Sequence, residues 1–135
     1  MDLLHKYLPL PHSFAIFWAG SSIAIAIEAK SKFKAKTLEK KVAFDVGRHV
    51  FKSQARLEWL LLFTAWLSQL THFGFTNFTA LTIATFSFLT NQFIFSPILM
   101  RRADAIIKGE TVPPGNSHAV LVGFEIVKCL ALLRV

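Results

Sequence analysis

The sequence predicts an all-α membrane protein with four transmembrane helices, and three observations carry that fold class. The 135 residues are 53% hydrophobic, with fourteen Phe and three Trp, and the mean hydropathy is +0.48. A soluble domain this small lacks the interior to hide so much apolar surface. Four stretches are apolar over close to the roughly 20 residues that a helix needs to cross a hydrocarbon core of about 30 Å. The charges collect between those stretches, nine of the fifteen Lys and Arg lying between Lys30 and Arg56. At this length the chain is a single domain over 1–135.

The first span covers about 13–29, just after Pro9 and Pro11, which sit naturally ahead of a helix start. Ala24-Ile25-Ala26 also matches a small-residue cleavage pattern, but the segment is read as a retained span. Over about 37–55, Leu38, Val42, Val46 and Val50 recur at four-residue spacing, with Lys40, Lys41, Arg48 and Lys52 elsewhere around the wheel. That pattern predicts an amphipathic helix lying on the inner leaflet. Alternatively, the segment runs into the second span as one long helix, with Gly47 as a bend point. The second span (57–73) and the third (78–100) are joined by Gly74-Phe75-Thr76-Asn77, a turn tight enough to make them an antiparallel hairpin. Arg101-Arg102 ends the third span, and Pro113-Pro114-Gly115 breaks the chain before the fourth, at 118–133.

Lys and Arg counts in the connections set the orientation. The 30–56 segment and the 101–117 loop, with Arg101, Arg102 and Lys108, fall on one side, and Lys6 and Arg134 on the other. The basic side is expected to be cytoplasmic, with both termini outside. A basic run can serve nucleic acid, an anionic membrane face or an acidic partner. Between two spans the membrane face is the expected partner, and nucleic acid is not.

Polar residues line up along each span. Glu58, Leu62, Ala65, Gln69 and His72 share a face in the second, as do Thr82, Thr85, Leu89, Gln92 and Ser96 in the third. His118, Leu121, Glu125 and Lys128 do so in the fourth, and Gly20, Ala24 and Glu28 form a small-residue row ending in an acid in the first. Such rows make helix–helix seams in membranes. Intramembrane charges cost on the order of 3 kcal/mol each on insertion scales, so they pair or line a polar path. Glu125 and Lys128, three apart on one helix, are expected to neutralise each other. Glu28, Glu58, Arg101 and Arg102 are expected to meet at the inner mouth, within reach of Asp45, Arg48 and His49.

No phosphate-binding Gly-rich loop, Ser-His-Asp set or His-Glu-x-x-His motif is present. Cys129 stands alone, which rules out an intrachain disulfide. A haem or metal between His12 and His72 at the outer rim is geometrically conceivable, but rim histidines are more commonly interfacial. The sequence therefore identifies no cofactor and no metal site. Asn77-Phe78-Thr79 matches the glycosylation sequon but abuts a span.

Three stretches resemble small bacterial four-helix membrane proteins: Ile27-Glu28-Ala29 with Lys32-Phe33; Asp45-Val46-Gly47-Arg48 with Val50-Phe51; and Arg101-Arg102-Ala103-Asp104 running to Pro113-Pro114. The resemblance implies a four-helix fold in a bacterial inner membrane and brings no known activity with it. Two functional classes are compatible with these features. The first, and the better match to the small size and missing catalytic motifs, is a non-enzymatic accessory or scaffold subunit of a larger membrane complex or homo-oligomer. The second is a small oligomeric transporter or channel with an intramembrane Glu/Lys path.

Overall fold

The computed structural model describes residues 10–71 and 78–135, and these are all helix and connecting turns, without a strand. Helix α1 runs from Leu10 to Lys34 and α2 from Lys40 to Thr71. Helix α3 covers Phe78–Thr90 and passes through a π-helical turn, Asn91–Phe95, into α4, Ser96–Ile107. Helix α5 is Ser117–Leu132. With α3, the π turn and α4 counted as one rod, four helices pack as a bundle. Neighbours along the chain pack together (α1 on α2, α2 on α4, α3 on α5), and α5 closes the ring against α1. The hairpin turn expected at 74–77, His72 and the asparagine of the sequon lie outside the described residues.

Of the two arrangements the sequence allows for the basic segment, the structure has the continuous one. Helix α1 extends beyond the apolar stretch to Lys34, a short turn over 35–39 follows, and α2 then runs unbroken for 32 residues. At 1.5 Å per residue α2 is about 48 Å long. Gly47 sits within this helix, where the Lys32 side chain crosses it. A Cβ at that position would stand 3.2 Å from the Lys32 amine, so glycine gives the lysine room to lie flat.

The third rod likewise continues past Arg101-Arg102 to Ile107. Gly109 at φ +84° ends it. Its N–H donates to Ile106 O and that of Glu110 to Ala105 O, both at 3.0 Å, the paired bonds that close a helix over a left-handed residue. The π turn lies just ahead of Pro97. Proline has no N–H to give, and its ring crowds the carbonyl four residues back, so a widened turn there relieves the ladder.

Alanines let the helices approach closely in the core: Ala15 and Ala19 of α1, Ala65 of α2, Ala80 and Ala84 of α3, Ala131 of α5. Trp18, Leu61, Leu62, Leu81, Phe88 and Leu132 fill the space between them. Among the described residues, two rods are long and apolar enough to cross a membrane by length and composition, His12–Lys34 and Phe78–Ile107. Away from the basic end, where Lys40, Lys52, Arg56 and Arg101 are exposed, the outward faces carry large apolar side chains. Phe17 and Ile27 of α1, Phe63 and Leu70 of α2, Phe86 of α3 and Leu130 of α5 are all exposed.

Candidate functional site

Lys128 is the centre of the bundle's charge chemistry. Its side chain has no exposed surface. Its amine contacts Glu58 Oε1 across the bundle and Glu125 Oε2 at 2.7 Å on its own helix. The same Glu58 oxygen accepts hydrogen bonds from Trp18 Nε1 at 3.1 Å and Ser22 Oγ at 2.9 Å, both on α1. Asn91, at the start of the π turn, donates through Nδ2 to Glu125 Oε1 at 2.8 Å and to Leu121 O at 3.3 Å. The Trp18 and Phe88 rings meet edge to face, with centroids 5.6 Å apart. Each lies 5.9 Å from the Lys128 amine, so the cation rests against two π faces. Every rod of the bundle contributes to this cluster.

A second layer lies at the basic end. Arg48 joins Asp45 of its own helix at 2.8 Å to Asp104 of α4 at 2.6 Å. The hydrogen bond to Asp104 is the main influence holding the Arg48 guanidinium above its ordinary value; partial burial opposes it, and Asp45 adds to it. Glu28 reaches Lys32 one turn along α1 at 3.4 Å. Arg102 donates to Pro113 O at 2.8 Å, tying down the loop before α5. Its guanidinium lies so close over Gly115 that a Cβ there would stand 2.7 Å from it.

Glu125 pairs with Lys128 on one helix at the spacing of three the sequence shows, whereas Arg48 and Asp45 meet Asp104 instead of the expected set, and His49 stays against Asp45 O of its own helix. The joint network of Glu28, Glu58, Arg101 and Arg102 is not formed among the described residues. Glu58 instead points into the bundle, where the buried amine needs a counter-charge. Arg101 is exposed, and Arg102 serves the loop. Glu28 keeps to its own helix.

Five participants were not singled out from the sequence: Trp18, Ser22, Phe88, Asn91 and Asp104. Trp18 and Ser22 stand four apart, one turn of helix, and that spacing was a usable signal. Asn91 lies one residue before the Gln92 chosen for the third span's face. The π turn beyond it offsets the register in a way no periodicity reveals. Among the described residues no group of His, Cys, Asp and Glu is arranged to hold a metal ion. No family model matches the chain, and neither does any curated protein or solved structure.

Proposed function

We propose that this chain is an integral membrane protein crossing the bilayer four times. In this reading it is a non-enzymatic accessory or scaffold subunit of a larger membrane complex or a homo-oligomer, and the Glu58–Lys128–Glu125 cluster is the clasp that holds its helices together. The carrying observation is the contrast between its two surfaces. Outward positions such as Phe63, Phe86 and Phe93 are each 68% exposed, while Lys128 is sealed inside against its two carboxylates. Large exposed apolar side chains on α1, α2, α3 and α5, outside the basic end, seek lipid or partner helices. A lysine amine closed off in the interior between two carboxylates fixes helix register rather than offering a route across.

Helix α5 supports the subunit reading further. Its 16 residues span about 24 Å at 1.5 Å each, short of the roughly 30 Å core, and short spans are accommodated by thinning the bilayer or by oligomerising. The Lys and Arg asymmetry supports a cytoplasmic basic end with both termini outside. The resemblance noted above favours the bacterial inner membrane.

A transporter is the second reading. The cluster holds two carboxylates for one amine, and the Glu125 side chain keeps 30% of its surface exposed. Gentle native extraction of the wild type and Glu125→Gln, with native mass and identification of whatever co-purifies, separates the two readings. Stoichiometric recovery with one larger complex or as a defined homo-oligomer, lost or weakened in the variant, supports the subunit. A variant that assembles normally but loses a proton- or cation-linked flux measured in vesicles overturns it in favour of transport.

A further inference from the structure

A cavity of about 320 Å³ opens between the basic halves of α1, α2 and α4, below the clasp. Its walls are apolar and partly aromatic, with Phe33, Phe44, Phe51, Met100 and Ile106 among them. This is the size and lining of sites that enclose an apolar ligand around a few polar anchors. The charged side chains in its lining are Glu28, Lys32, Arg48 and Arg102, of which Arg48 is already paired with Asp45 and Asp104. Lys32 lines the cavity with its side chain only 7% exposed, and its one carboxylate neighbour, Glu28, lies at a loose 3.4 Å. Arg102 also lines it, and among the described residues its guanidinium has a carbonyl but no carboxylate partner. Glu28 adds a second carboxylate oxygen, Oε2, that is buried without a hydrogen-bond donor.

Lys32 and Arg102 together face one carboxylate, Glu28, among these lining groups, which leaves one positive charge unmatched, and a guanidinium and an ammonium lining the same cavity suit a phosphodiester anion. A buried acceptor next to them calls for a donor on the same ligand. The apolar walls call for a chain. We propose that this cavity binds one phosphatidylglycerol molecule. Its phosphate lies against Lys32 and Arg102, a head-group hydroxyl donates to Glu28, and part of an acyl chain lies along the aromatic wall. The inference rests on the membrane reading above, which brings this end of the bundle to the level of the inner-leaflet head groups.

The test uses the full chain, delipidated in detergent and reconstituted into nanodiscs of phosphatidylcholine doped with phosphatidylglycerol, with retained lipid counted by native mass. Phosphatidylglycerol should be retained about thirtyfold more tightly than phosphatidylcholine, as two surface-level cations would give. Lys32→Gln with Arg102→Gln should abolish that preference, and Lys36→Gln with Lys108→Gln, exposed at the same end, should leave it unchanged. Equal retention of the two lipids, or an equal loss in both variant pairs, overturns the site. A wild-type arm needs no altered protein: phosphatidylglycerol with a photoreactive acyl chain should label 44–51 and 99–106, and labelling confined to outward residues such as Phe63 and Phe86 overturns the site. Protein that inserts into the bilayer but shows no preference defeats this inference alone; protein that never inserts defeats the membrane reading with it.

Discussion

Moving an ammonium group out of water costs several kcal/mol even after relaxation, and Lys128 offsets that cost through Glu58 and Glu125 together. Glu58 in turn collects Trp18 and Ser22 on the oxygen that faces the amine. Removing one member leaves the others charged in an apolar surround. Lys128→Met should therefore destabilise the detergent-solubilised protein by about 3–5 kcal/mol, the usual cost of breaking a buried pair from one side. Adding Glu58→Gln should recover part of that loss, because the amide can still accept from Trp18 and Ser22 without a buried charge. Thermal or denaturant unfolding of both single variants and the double closes the cycle. A double variant destabilised by the simple sum of the singles would show that the two groups do not act on each other.

Among the elements, the π turn sets which faces of the third rod meet the rest of the bundle. It aims Asn91 at Glu125 and, further along α4, Asp104 at Arg48. Each helical residue turns the chain by about 100°, so inserting one residue within 92–95, beyond the one the π turn already accommodates, should rotate α4 and carry Asp104 off Arg48. In a Cys129→Ala background, cysteines at 48 and 104 should join through a short bis-maleimide in the chain of natural length but not after the insertion. Joining with equal yield in both would deny the turn this role. The helices themselves were legible from apolar runs and the short connections between them, but the faces were legible only in part. The row Glu58, Leu62 and Ala65 does face the bundle, whereas the third span's row lies only along its edge: Thr85 accepts from Trp66 Nε1 at 2.9 Å and Leu89 packs on the core, Thr82 is exposed, and the buried set is Ala80, Leu81, Ala84, Ser87, Phe88 and Asn91. The reason at Thr82 is local: its hydroxyl donates to Phe78 O at 2.9 Å on its own helix, so it is satisfied without a seam. Gly20 and Ala24 are also exposed, and α1 packs through Ala15, Trp18, Ala19 and Ser22 instead.

At the scale of the whole molecule, charge partners are set by how the helices rotate against each other, and a linear pattern records that only where two residues share a helix. Hence Glu125 with Lys128 was legible, while Glu58 with Lys128 and Arg48 with Asp104 required the packed bundle. The apolar exterior, by contrast, follows directly from composition, since more hydrophobic side chains exist than four packed helices can enclose. Its meaning is open to a direct test at Phe86, which is exposed on the rod Phe78–Ile107 and makes none of the clasp's contacts. In water, exchanging an exposed Phe for Asp is close to neutral and improves solubility. Near the middle of a span it costs about 3 kcal/mol of insertion free energy. Phe86→Asp should therefore shift a large share of the protein from the carbonate-resistant membrane fraction to the extractable or degraded pool, while Phe86→Leu should not. If Phe86→Asp left the fraction unchanged, or gave a folded protein free in solution, the exterior would not be facing lipid at this position, and the four-span reading would lose its principal support.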